Sequence, residues 1–328
     1  VPGFLSLLAV YVLLIMREHR LSAVSILCLG IGTGLTGLFP SFVGLIGTTL
    51  VMSFGFHYFE TTNQSLTLQY FDVAVAPVVF GRQRAFAAAT NIVVGLLIYL
   101  IVPVLSYDRI YLMLGVILAA ISIWGLRQHP TRKDLPVQRK RMVFRARYWL
   151  YYLLTFFAGA RRQVFIAFAV FLMVKRFGYS VQEITLLFVL NNAINYFISP
   201  LIGKAIVRFG ERRVLTLEYS SLIIIFLAYT AVDSKLAVAF LYVLDHIFFN
   251  FSIAIRTYFQ KVGDPRDIAP SMAVGFTINH IAAVVLPVLG GALWMTDYRL
   301  PFFGGAALAG CSLIAVQFIR IPAPPRAP

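Results

Sequence analysis

The sequence predicts an all-α integral membrane protein. Hydrophobic residues make up 60% of the 328-residue chain and charged residues only 12%, about half the charged share of ordinary soluble domains. Mean hydropathy is +0.84. The apolar residues come in long blocks that suit helices crossing a bilayer, not in the short alternating segments of a β-barrel.

Taken in chain order, the blocks run at about 1–16, 22–39, 41–69, 85–105, 108–126, 148–174, 183–207, 214–232, 235–260, 270–294 and 301–319, eleven in all. Each should be helical, because backbone groups in hydrocarbon must be satisfied within their own segment. The stretch 127–147 is different. It carries eight Lys and Arg and reads as a linker.

The basic residues set the orientation. Loops near 17–20, 82–84, 127–147, 204–213 and 261–266, with the tail from 320, hold twenty Lys and Arg; the alternate loops hold five. The richer side should face the cytoplasm. The expected location is therefore the cell (inner) membrane, multi-pass, with linker and C-terminus cytoplasmic. The net charge of +15 follows from this topology, and charges confined to short loops exclude a nucleic-acid-binding surface. Cys28 and Cys311 both fall inside apolar blocks, which excludes a disulfide framework and a metal site, and no cofactor motif is present.

A charged side chain at mid-bilayer costs about 2.5–3.5 kcal/mol on insertion scales, so polar residues inside the blocks should face the protein interior. They cluster: His57, Glu60 and Gln64; Arg161 and Arg162; Asn191, Asn192 and Asn195; Asp245, His246, Asn250 and Arg256; Asn279. His57, Glu60 and Gln64 share a helix face, as do Asn191 with Asn195 and His246 with Asn250. Arg161 and Arg162 point about 100° apart. One should face a cavity while the other pairs with Glu60 or Asp245. Arg256 reads as a gate or structural partner, and Glu218 as a partner of Arg212 or Arg213.

The chain also resembles itself. His57 and Tyr70-Phe71 correspond to His246 and Tyr258-Phe259, and Asn91 to Asn279, at offsets near 190 residues. That register gives an N-terminal half at 1–126, a basic linker at 127–147 and a C-terminal half at 148–328. It pairs 1–16 with the later part of 183–207. The expectation is therefore an N-terminally truncated sequence, with the first of twelve spans missing.

One loop reads Gly203-Lys-Ala-Ile-Val207-Arg208-Phe-Gly210-Glu211-Arg212-Arg213. It is similar to the G-x-x-x-D-R-x-G-R-R loop of the major facilitator superfamily (MFS), with Gly203, Arg208, Gly210 and Arg212 matching, Val207 at the Asp position and Glu211 at an Arg position. The first half keeps only Arg17 and Arg20. The family's antiporter signature is absent from 85–105. With the linker and the repeated halves, the whole chain resembles this superfamily. The resemblance implies two six-helix pseudo-repeats, about eleven of twelve helices being present, with spans 1, 4, 7 and 10 lining a central cavity and Gly203, Arg208, Gly210 and Arg212 forming a gating loop.

The function it implies is secondary active transport, as symporter or antiporter, of a small polar or anionic solute by alternating access. Site candidates are His57, Glu60, Gln64, Arg161, Arg162, Asn191, Asn195, Asp245, His246, Asn250 and Asn279. Glu60 beside His57 and Asp245 beside His246 are the candidates for coupling to protons, since buried carboxylates can load and unload a proton. Partners would be the solute, protons and lipid, with the protein a monomer. The alternatives are a membrane-embedded enzyme, for which no nucleophile or metal motif appears, and a non-transporting solute sensor on the same fold.

Overall fold

A computed structural model of the chain describes residues 8–13, 15–128, 130 and 134–321. Among these residues nine helices are long and apolar enough to cross a membrane: α1 (Glu18–Leu38), α2 (Phe42–Tyr70), α3 (Ala76–Ile101), α4 (Tyr107–Arg127), α5 (Ala146–Phe177), α6 (Val181–Phe209), α7 (Glu211–Ala231), α8 (Lys235–Val262) and α9 (Pro265–Thr296). A tenth apolar helix, α10 (Leu300–Val316), is shorter. The expected block at 1–16 lies largely outside the described residues, and its described part holds one helical turn, Ala9–Val12.

One boundary departs from the sequence expectation. The helix placed at 85–105 begins at Ala76, so Arg82 and Arg84 belong to α3 and not to a loop. The run Ala76-Pro77-Val78-Val79-Phe80 supplies an apolar first turn with proline where its missing N–H is harmless, and arginine is a good helix former. The two charges do not interrupt the helix.

The chain divides into two compact units. The first takes in the described residues up to Tyr70, Val93–Phe144 and Asp264–Thr277. In it α1 packs against α4 and α2. Small residues allow the approach: a Cβ on Gly30 would lie 2.9 Å from the Gly115 carbonyl oxygen of α4. Ser122 of α4 donates to the Ala23 carbonyl of α1 at 2.7 Å. Glu18, at the start of α1, accepts from Ser65 Oγ at 2.6 Å and Gln69 Nε2 at 2.8 Å on α2.

The linker is fixed within this unit as well. Gln138 Nε2 donates to the Pro265 carbonyl at 2.9 Å, and its Oε1 accepts from the Ala269 N–H at 2.9 Å. Arg139 pairs with Asp264 at 3.0 Å and with the buried Asp267.

The second unit comprises Phe71–Ile92, Arg145–Gly263 and the residues from Ile278 on. Its apolar core joins α5, α7, α8 and α10 through Phe168, Leu172, Phe226, Tyr229, Tyr242 and Phe302, with the Tyr229 and Phe302 rings stacked at 4.9 Å. α6 opens on a capping box in which Ser180 and Glu183 satisfy each other's backbone N–H groups. It ends at Gly210, whose φ of +80° turns the chain directly into α7. Two helices of this unit are irregular midway. α5 contains a π-helical segment at Val164–Ala169, and α8 a 3-10 turn at Asn250–Ser252. Such interruptions concentrate at functional positions, because they redirect side chains and loosen backbone hydrogen bonds.

Candidate functional site

Within the second unit, α3, α5, α6 and α8 enclose a cavity of about 350 Å³, within the range of small-molecule sites. Helical periodicity brings the polar residues to it. Arg84, Ala88 and Asn91 of α3 recur at i, i+4, i+7, and Asn192, Asn195 and Ser199 of α6 at i, i+3, i+7. α8 adds Tyr242, His246, Phe249 and Asn250, and α5 adds Arg162, Phe165, Ile166 and Val170. Asn250 opens the 3-10 turn of α8, and Arg162 lies two residues before the π-helical segment of α5.

The amides are held in place. Asn91 Nδ2 donates to Asn192 Oδ1 at 3.0 Å, Asn192 Nδ2 to the Phe188 carbonyl at 2.9 Å, and Asn250 Nδ2 to Asn195 Oδ1 at 2.7 Å. The Arg162 guanidinium lies over the Phe249 ring, 5.3 Å from its centre. His246 Nδ1 has no hydrogen-bond partner among the described residues. Arg84, Arg162 and His246 are the titratable bases on the wall, and none of the described lining residues is acidic. The cavity is cationic and studded with amides.

A second polar cluster lies behind this wall. Arg161, Glu218 and Asp245 are almost wholly buried. Arg161 Nη2 is 3.3 Å from Glu218 Oε1, its other amino group donates to Ser312 Oγ, and its guanidinium sits 4.3 Å from the centre of the Tyr219 ring. Asp245 and Arg162 border the same narrow gap. The expected division of labour between the two arginines therefore falls with Arg162 at the cavity and Arg161 in the interior. Glu218 meets Arg161, not Arg212 or Arg213, because the side chain of Glu218 on α7 turns inward to α5. Arg212 instead bonds Gln317 Oε1 at 3.0 Å.

Asp245 and His246 do not act as a pair on one face. The helical step separates them, with His246 on the cavity and Asp245 in the buried gap. In the first unit, His57 Nδ1 lies 2.5 Å from the Ser53 carbonyl and its ring meets Phe276 edge-on at 5.5 Å. Glu60 accepts from Gln64 Nε2 at 2.9 Å. None of these three borders the cavity just described. Asn191 is buried, and neither end of its amide has a partner among the described residues. Asn279 Nδ2 donates to the Thr155 carbonyl of α5 at 3.3 Å, where α9 crosses Gly159, and so ties two helices together. Arg256 lies over Phe80, 5.7 Å from the ring centre.

Of the loop residues, Arg208 lies over its neighbour Phe209 at 5.1 Å and Gly210 makes the turn. Gly203 sits against α3: a Cβ there would fall 2.5 Å from the Pro77 carbonyl oxygen, and one on Gly81 would fall 2.4 Å from that of Ser199. The sequence alone does not single out Arg84, because its charge reads as part of a basic loop. Its spacing from Asn91, seven residues or about two helical turns, was the available signal.

The sequence model described as Major Facilitator Superfamily matches residues 1–266. No curated protein matches the sequence. Solved structures do share its fold. The human organic anion transporter MFSD10 (TETRAN) aligns with TM-score 0.79 at 11% identity over 96% of this chain and 80% of that one. A single-residue variant of the E. coli fucose:proton symporter FucP gives 0.76 at 12% over 97% and 87%. A bacterial homologue of the iron transporter ferroportin, in an outward-facing state, gives 0.75 at 13% over 96% and 86%.

Proposed function

The chain belongs to the Major Facilitator Superfamily, and from that premise we propose that it is a secondary transporter for a small organic anion. The observation that carries the charge class is the cavity wall, where the Arg84 and Arg162 guanidiniums face a space with no acidic residue among those described on it. A guanidinium matches a carboxylate or phosphate with two parallel donors, and the Asn192, Asn195 and Asn250 amides add neutral donors and acceptors for the rest of the solute. One structure of the same fold is an organic anion transporter, which agrees with this class; at 11% identity that likeness speaks to fold, and the cavity's charge carries the argument.

Transport by alternating access needs a contact that opens and closes. α3 and α6 approach backbone to backbone at Gly81 and Gly203. The contact lies along both helices on the basic-loop side of Arg84 and Ser199. With the basic loops in the cytoplasm, it closes the cavity's inner end.

The test is thermal stability of the purified full-length protein in detergent, titrated with acetate, benzoate, succinate and methyl phosphate against their neutral amides and alcohols. An anion that binds the folded state alone stabilises it by about 2.7 kcal/mol at a hundred times its Kd. At least one anion should raise Tm while its neutral analogue does not. Stabilisation by the neutral analogues alone would refute the anionic reading.

A further inference from the structure

We infer that the solute is amphipathic, with its anionic head at the inner end of the cavity and an uncharged apolar group filling the outer end. The inference rests on the anion reading above and deepens it, since positive charge on the wall does not say what the rest of the solute is.

Contacts between the helices align the cavity wall level by level. α3 and α5 run outward from the basic-loop side, and α6 and α8 run back. Gly81 of α3 meets the backbone of Ser199 on α6. Farther out, Asn91 bonds Asn192 at 3.0 Å. Arg84 lies seven residues inward of Asn91, and Ser199 lies seven inward of Asn192, so Arg84 and Ser199 share the innermost level. Asn195 bonds Asn250 at 2.7 Å, and Arg162 covers Phe249; these four stand just outward of it. Phe188 precedes Asn195 by seven residues, Tyr242 precedes Asn250 by eight, and Val170 follows Arg162 by eight. These three therefore share the outermost level, with Ile166 one turn below Val170. At 1.5 Å per residue, Ser199 and Phe188 are about 16 Å apart along α6.

The chemistry changes between these levels. The inner end holds both guanidiniums, Arg84 and Arg162, with the Asn195 and Asn250 amides. The middle holds the Asn91–Asn192 pair and His246. The outer end is made of Ile166, Val170, Phe188 and Tyr242, where the Tyr242 ring stacks with Phe165 at 5.2 Å. Among the described lining residues this end carries no charged side chain, and its polar side-chain atom is the Tyr242 hydroxyl. Ile166 and Phe188 are 46% and 48% exposed, so apolar surface is available for a solute to cover. A solute charged at both ends would set one charge against these four side chains with no counter-charge, and that desolvation is unfavourable. A solute charged at one end only, with a hydrocarbon or aromatic group at the other, suits both ends of the cavity.

Calorimetric titration of the purified full-length protein in detergent tests the inference with acetate, butanoate, hexanoate and the dianion adipate. Affinity should rise along the monoanions by about fourfold per methylene, with a negative heat-capacity change. Adipate, which has the chain length of hexanoate, should bind more weakly than hexanoate. Phe188→Asn should flatten the rise with chain length, and Ile166→Asn should do so if the first variant does not fold. Arg84→Ala should weaken every monoanion by about 10- to 150-fold and keep the rise. The inference is overturned by affinity that does not rise with chain length, by adipate binding at least as tightly as hexanoate, or by a rise that both outer-end variants leave intact. Acetamide and hexanamide keep the two readings apart. If acetate and hexanoate bind equally and both outbind their amides, the anion reading stands and the apolar end is refuted. If hexanamide matches hexanoate and outbinds acetamide, the apolar end stands and the anionic head is refuted. Binding by none of the series overturns both.

Discussion

Gly81 offers a sharp perturbation. A Cβ at this position would lie 2.4 Å from the Ser199 carbonyl oxygen and 3.0 Å from Pro200 Cα on α6. Both obstacles are backbone, so no side-chain rotation relieves the clash. Restoring an ordinary contact of 3.4 Å requires α3 and α6 to separate by about 1 Å. Overpacking of this kind costs about 1–3 kcal/mol. If the contact is present in one transport state and absent in the other, the whole of that cost appears as a shift in the equilibrium between them, about 5- to 150-fold. The assay is the labelling rate of Ala87→Cys, which lines the cavity, by a membrane-impermeant maleimide applied from the basic-loop side after removal of Cys28 and Cys311. Gly81→Ala should accelerate labelling by that factor. Gly95→Ala is the control: it lies on the same helix with no atom within 4 Å of the new methyl, and should change nothing. An unchanged or slower rate in Gly81→Ala, with Tm equal to that of the control, would refute the gate.

Two further expectations follow from the same geometry. Arg162→Ala should weaken anion binding by about 1.5–3 kcal/mol, the range for a hydrogen bond to a charged group, and Arg162→Lys should recover only part of it because the planar fork is lost; equal affinity in all three proteins, read by thermal shift, would place the anion elsewhere. The linker clamp should be pH-sensitive. The Asp264 carboxyl is held below its ordinary value, first by the Arg266 backbone N–H and then by Arg139, so its contribution is present above the unfolded pKa and is lost as pH falls through the lower folded value. Hydrogen exchange at residues 136–140 should therefore rise only below about pH 4, where free aspartate protonates, and Asp264→Asn should show that faster exchange already at neutral pH.

Much of the architecture could be read locally. A helix in a bilayer is dictated by the apolar content of its own twenty or so residues, so α1, α2 and α4 to α9 lie within a few residues of their expected bounds. The failure at α3 is instructive. Arg82 and Arg84 look like a loop to any local reading, yet they sit on a helix: Arg84 borders a polar cavity where its charge is tolerated, and Arg82 is exposed. The polar residues of the C-terminal half were legible as a set. Their partners were not. Arg161 and Arg162 are adjacent and chemically identical, and Glu218 lies nearer in sequence to Arg212 and Arg213 than to the arginine it meets.

The sequence by itself determined that the chain is helical, belongs in a membrane and keeps its ionisable side chains in particular helices. These follow from composition and period, which each segment carries alone. The tertiary structure decided which arginine borders the cavity and which is buried beside Glu218, and it separated Asp245 from His246 by one helical step. Those outcomes depend on the rotation of each helix about its axis, and that rotation is set by neighbours far away in sequence: a glycine that lets α3 touch α6, and a π-helical segment that resets the register of α5.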